Sequence, residues 1–279
     1  MILETGKLKS SDEKDRMKIN PSKTINNLGG KGYQLALLKE FCLVPEFFVI
    51  RFDEEDEIES IAAQEEIIKT FDSYMFDYVS VRSSATVEDS SVASFAGMFK
   101  TKLNVTRGNL LESIIEVLLS SKDERILKYY NYSYTQVNCI KMRVIVQRMV
   151  NSRVAGVCLS KHNDNPDVML IEACWGLGES LVSGKTVPDT YKVNRQNFEI
   201  EVVTIGYQKE MILSLQDTNT LRVPFHLRNS KKLSNDKIIQ LLKVCLKIEN
   251  SLNYVAANIE WAFDKEDRLY ILQARPYIY

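Results

Sequence analysis

From about residue 141 the chain breaks into short β-rich runs separated by turn signals: "RVIVQRMV", "AGVCLS", "VMLIEACWG" and "TYKVNR". It closes with "NIEWAFDKEDRLYILQARP", which reads as two strands around a charged turn. The first half has a different rhythm. "NNLGGKGYQLALLKEF" reads as a glycine loop opening a helix, with Leu35, Leu38 and Phe41 as its spaced apolar face. "IESIAAQEEIIKTF" predicts a helix with Ile58, Ile61, Ala62 and Ile68 on one side, and "GNLLESIIEVLLSS" predicts another. "VPEFFVI" suits a strand entered through Pro45, and "YVSVRSS" suits a strand running into a loop. A late helix, "SNDKIIQLLKVCLKIENSL", has Ser234 as its expected N-cap. The fold class expected is therefore α+β in two lobes, over 23–147 and 148–279. The joint falls near Gln147–Val150, and the charged lead-in, 1–22, is expected to be poorly ordered.

Composition narrows the function classes. A length of 279 residues permits one large domain or two small lobes with a real core. A net charge of −1 gives no general field for nucleic acid or membrane, so any positive potential must be local. No run of about 18 apolar residues spans a bilayer, and the polar N-terminus carries no apolar signal-peptide core. Five cysteines without CxxC spacing read as free thiols in a reducing, cytoplasmic setting, with Cys42, Cys158 and Cys245 in apolar surroundings. Two histidines, His162 and His226, are too few for a zinc site or a Ser–His–Asp triad.

Several segments carry candidate chemistry. "GGKG", Gly29 to Gly32, lets backbone N–H groups approach an anion at a helix start, with Lys31 as a point charge. Alone, the pattern fits a solvated turn equally well. In "VSVRSSATVEDSSVASFAGMFKT", six of the fifteen residues from Ser80 to Ser94 are serine. Arg82 supplies a planar fork for phosphate oxygens, and Ser83, Ser84, Thr86, Gly97 and Thr101 supply hydroxyl and backbone donors. A serine-rich surface loop is the other reading. In the closing hairpin, a four-residue turn at Lys265–Arg268 sets Asp264 opposite Leu269 and Glu260 opposite Gln273. Arg275 then shares that face, while Trp261, Phe263 and Leu272 share the other. A carboxylate, an amide oxygen and a guanidinium together suit Mg²⁺ and the phosphates it bridges; a half-exposed hairpin with a salt bridge fits too. "IEACWGLGESLVSGKTVPD" adds Glu172 and Glu179, as ligands for nucleotide hydroxyls or metal, or as solvated acids.

Taken in order, these segments resemble the ATP-binding domain of the phosphoenolpyruvate synthase, pyruvate phosphate dikinase and rifampicin phosphotransferase family. The resemblance covers most of residues 24–276. It implies an ATP-grasp fold, two lobes clamping ATP, and a serine-rich loop that closes over the phosphates. It implies that Lys31, Arg82 and Arg275 meet the transferring phosphates. Gly97 and Thr101 would line their site, and Gln147, Arg148, Met149 and Val150 would read the adenine edge through backbone groups. Glu172 and Glu179 would bind ribose or metal, and Glu260 and Gln273 would hold Mg²⁺. In such enzymes ATP phosphorylates a histidine on a mobile domain, which passes the group to a small-molecule acceptor. Neither histidine here lies in that context. The expectation is therefore an ATP-binding phosphotransferase part whose partner, a phosphohistidine domain, acts in trans. A self-sufficient ATP-grasp kinase or ligase and a non-catalytic nucleotide-binding module are the alternatives. One departure stands out: Glu46 and Phe47 replace the family's usual Pro-Gly in "VPPGFVI".

Overall fold

The computed structural model describes residues 2–4, 21–52, 55–86, 99–122, 141–214 and 220–277. It divides into two units, Met1–Ala36 with Glu46–Met149, and Leu37–Pro45 with Val150–Tyr279. Both are α+β, as the sequence predicts.

In the first unit, β1 (Ile2–Glu4), α1 (Pro21–Leu38), β2 (Phe47–Arg51), α2 (Ile61–Ser73), β3 (Val79–Ala85), β4 (Thr101–Val105), α3 (Leu110–Leu119) and β5 (Met142–Arg148) follow in chain order. The five strands form an antiparallel sheet in the order β1-β2-β5-β3-β4. Part of the expected lead-in is thus structured, since Ile2–Glu4 pairs with Phe48–Ile50. One face of the sheet carries Phe48, Ile50, Val79, Val81, Val144 and Val146 into a core with Ile67, Phe71, Leu110, Ile114 and Val117 from α2 and α3. The buried residues of α2 are Ile67, Thr70 and Phe71; of the predicted side, Ile58 is buried just before the helix and Ile68 packs, partly buried, against the same core. Ile61 is 74% exposed, because the side of the helix that meets the sheet is centred about a third of a turn away from it. α3 begins where predicted. A capping box between Thr106 and Asn109 precedes it and satisfies orphan amides there.

The other face of this sheet, with Arg51, Ser80, Arg82, Ser84, Arg143 and Gln147, carries polar groups under α1. Arg143 Nε donates to Asn26 O at 3.0 Å, and Arg51 Nη1 donates to Asn27 Oδ1 at 2.8 Å. These bonds tie two guanidinium groups of the sheet to a carbonyl and an amide oxygen of α1.

The second unit contains β6 (Ser152–Leu159), β7 (Val168–Trp175), α4 (Glu179–Val182), β8 (Asp189–Asn194), β9 (Ile200–Thr204), β10 (Glu210–Ile212), β11 (Thr220–Arg222), α5 (Asn235–Leu252), β12 (Ala257–Asp264) and β13 (Leu269–Pro276). Six strands form an antiparallel sheet in the order β13-β12-β6-β7-β8-β9, and β10 pairs with β11 apart from it. Ser234 caps α5 as predicted, accepting from Lys237 N. α5 covers one face of the sheet, where Cys158 and Cys245 meet with their sulfurs 3.3 Å apart. Both thiols are buried, while Cys42 is only partly so. Burial nevertheless pushes the Cys42 thiol up to about 11, with Lys247 opposing. Among the described residues no helix is long and apolar enough to cross a membrane.

Two buried ion pairs, not foreseen from the sequence, close this unit. The Asp189 carboxylate accepts from Lys232 Nζ (2.6 Å), Lys232 N (2.8 Å), Gly206 N (2.9 Å) and Tyr191 Oη (2.6 Å). Neither charged side chain is exposed at all. Burial, then the Asp189 carboxylate, holds the Tyr191 phenol well above its ordinary value. Arg195 makes a two-pronged contact with Glu249 at 3.0 and 2.6 Å, and Ser160 donates to the same carboxylate.

Candidate functional site

Each unit carries one group of the residues singled out above. In the first, Arg82 lies on a central strand and is only 9% exposed. Thr101 stands directly opposite it on β4, so the two share a face. On the other flank, Arg82 Nη1 donates to Gln147 Oε1 at 3.2 Å. Gln147 is itself 2% exposed, and its Nε2 has no hydrogen-bond partner among the described residues. A buried amide N–H left without an acceptor is costly, and an anion or polar ligand beside Arg82 would relieve it. Lys31, 7% exposed, follows a break in α1 at Gly29, where the backbone turns to φ 71° and ψ 173°. The predicted helix start at the glycines is therefore real, although a helical stretch also precedes it.

The expected hinge looks different in atomic detail. Gln147 N–H and C=O belong to a strand paired with both Phe47 and Ser80. The amides of Arg148 and Met149 donate to Glu46 O and Tyr78 O, both at 2.9 Å. The Arg148 side chain donates to Glu46 Oε2 at 2.8 Å and lies 5.0 Å from the centre of the Phe76 ring. Glu46, the departure from "VPPGFVI", thus serves as the counter-charge of Arg148. Gly97 and most of the serine-rich stretch lie outside the described residues. Ser84, counted in the sequence among the phosphate donors, faces α1 instead.

In the second unit the register brings five strands into one row. Gln273 is opposite Glu260, Glu260 opposite Val157, Val157 opposite Glu172, and Glu172 opposite Thr190. Strands lie about 4.8 Å apart, so the Cα atoms of Glu260 and Glu172 are separated by about 10 Å. In the next row Arg275 is opposite Asn258, a neighbour that the sequence reading passed over. This face is mostly half-exposed, while the alternate residues Ile259, Trp261, Phe263, Cys158 and Ile171 are buried.

The predicted Glu260–Gln273 pairing is present, but by a different route. Asp264 does not face Leu269; Phe263 does. The Asp264 carboxylate accepts from Glu266 N (3.0 Å), Arg268 N (2.8 Å) and Arg268 Nε (2.7 Å), which gathers a wider loop around it. That alone would shift every pair by one and send Gln273 to the apolar face. An irregularity between Glu260 and Trp261 makes the register skip Leu272 and restores the parity. Leu272 accordingly does not join Trp261 and Phe263; it is half-buried in the bulge.

Glu179 starts α4, just after Gly178, which packs against Ala155 on the Glu260 side of the sheet. Burial raises the Glu179 pKa; Lys185 opposes this, and the Glu260 charge adds to it. Among the described residues no cluster of three or more His, Cys, Asp or Glu is placed to hold a metal. Mg²⁺ usually takes only one or two protein oxygens, with phosphates and water completing its shell. Glu260 and Gln273, cross-strand partners that carry one carboxylate and one amide oxygen, are the donor types for that mode.

Residues 55–278 match the family described as the pyruvate phosphate dikinase AMP/ATP-binding domain. The chain belongs to this family. A probable phosphoenolpyruvate synthase of Methanocaldococcus jannaschii is 36% identical over 203 residues, 71% of this chain and 17% of that protein. The uncharacterized phosphotransferase YvkC of Bacillus subtilis is 29% identical over 277 residues, 89% of this chain and 33% of that protein. The chain thus spans a third or less of these two relatives. Among solved structures, the D-alanine–D-alanine ligase of Coxiella burnetii aligns with a TM-score of 0.43 at 11% identity, covering 91% of this chain and 48% of that one.

Proposed function

We propose that the chain binds Mg·ATP and transfers a phosphoryl group from it to a histidine of a partner domain supplied in trans. Membership of the AMP/ATP-binding family over residues 55–278 carries this reading. The chemistry of the two residue groups supports it. Lys31, Arg82 and Thr101 would hold the polyphosphate, with Gln147 Nε2, which has no partner among the described residues, as a further donor beside Arg82. Glu260 and Gln273 would hold Mg²⁺, and Arg275 would meet the transferring phosphoryl group. Glu172 and Glu179 would take ribose hydroxyls or the second side of the cation, Gly97 the phosphates, and 147–150 the adenine. When bound, Mg²⁺ neutralises phosphate charge. The protein's part is positioning and charge complementarity as the P–O bond breaks and the P–N bond to histidine forms.

Neither histidine of this chain looks like the acceptor. His162 Nδ1 accepts from Asp164 N at 3.2 Å, and His226 lies in a short exposed turn of 3₁₀ helix. Incubating the chain with ATP labelled at the β- or γ-phosphate tests the reading, with and without a purified phosphohistidine-domain fragment. AMP and orthophosphate, together with an acid-labile phosphoprotein and seen only with the fragment, are the expected result: of the two phosphates that ATP loses, the histidine keeps one and water takes the other. ADP formed without it would point to a self-sufficient kinase or ligase. Binding without turnover in either arm would leave a nucleotide-binding module.

A further inference from the structure

Ser84 spans the break in α1. Its hydroxyl donates to Leu28 O at 2.8 Å and accepts from Gly32 N at 2.9 Å. Leu28 closes the helical stretch before Gly29, and Gly32 lies in the first turn after it. Helix ends strand carbonyls on one side and amides on the other. One buried hydroxyl, 0% exposed, here serves both. The approach is close enough that a Cβ at Gly29 would lie 1.9 Å from Ser84 O and 2.4 Å from Ser84 Oγ. Lys31 lies between the two residues so clamped.

We propose that Ser84 is a positioning residue for Lys31: it fixes the backbone turn that carries the ammonium and does not itself touch the nucleotide. A serine hydroxyl has a single proton to donate. That proton is committed to Leu28 O, so Ser84 has none for a phosphate. The role rests on the reading that Lys31 contacts the phosphates of ATP.

A double-mutant cycle tests it, with Mg·ATP affinity measured by calorimetry on the full chain and Gly32 amide exchange followed in parallel. Ser84→Ala should weaken binding about tenfold in the native background and no more than about twofold in Lys31→Ala. Gly32 exchange should quicken in the Ser84→Ala variant. Ser84→Cys, of similar shape but a weak hydrogen bonder, should fall between wild type and Ser84→Ala, and it serves if the alanine variant does not fold. Equal losses in both backgrounds, or wild-type affinity in Ser84→Ala and Ser84→Cys, would overturn the role. Unchanged Gly32 exchange would overturn the clamp itself. Lys31→Ala without effect would instead remove the phosphate role of Lys31, and the exchange result would still decide the clamp.

Discussion

The first unit holds its candidate side chains with individual hydrogen bonds, whereas the second aligns them by strand register. Arg82 leans on Gln147, and the turn before Lys31 hangs on Ser84. These groups are nearly all buried, so each bond is made in a low-dielectric setting and a missing partner is expensive. The half-buried Glu260 and Glu172 and the buried Gln273 instead share one face because the ladder counts out that way. The lesson is one of vulnerability. A single side-chain change should disturb the first group, whereas the second should tolerate side-chain changes structurally and fail when the residue count changes.

The sharpest way to break this contrast is to delete Ala274. The shortened strand then turns Arg275 to the apolar face or, where the bulge is absorbed, Gln273 in its place. A loss of about 5 kcal/mol, or failure to fold, is expected in urea titrations, because a polar group is buried there without a partner. A stable variant with Mg-dependent binding intact would show that register does not place these residues. Next in size is Asp189→Ala, which strands the Lys232 ammonium in the interior. Loss of one partner of a buried pair costs about 3–5 kcal/mol, and the unfolding midpoint should drop accordingly. Gly29→Ala combines a positive φ with a Cβ 1.9 Å from Ser84 O. About 3 kcal/mol is expected from left-handed strain plus overpacking, with nucleotide affinity falling alongside.

Smaller effects sharpen the comparison. Glu260→Ala should leave stability nearly intact and raise the magnesium requirement for nucleotide binding at least about tenfold, as loss of a charged contact implies. A magnesium titration at fixed ATP reads this directly, and wild-type behaviour would remove Glu260 as a ligand. Smallest is Trp261→Phe, on the opposite face of the same strand. Its indole N–H has no partner among the described residues. Removing it offsets part of the lost packing, so about 1 kcal/mol is expected by thermal unfolding.

Much of the fold was legible because it rests on local periodicity. The strands from β5 to β8, the helices α3 and α5, and the Ser234 cap depend on residues a few positions apart, and these lie side by side in the sequence. α2 shows where that signal stops. Its helical character is local, but which side is buried depends on where the sheet lies, so Ile67 and Phe71 are inside and Ile61 outside.

The site divides in the same way. By itself the sequence determined the residue types and the alternation that sets Glu260 and Trp261 on opposite faces, because a strand's side chains alternate whatever surrounds it. Tertiary structure decided how the Glu260–Gln273 pairing survives, since a loop gathered by Asp264 and a bulge at Leu272 cancel only when both strands are in place. It also decided that Ser84 serves the main chain and that Lys232 reaches Asp189, 43 positions away. A hydrogen bond depends on distance in space to a tenth of an ångström, and no spacing along a chain encodes that.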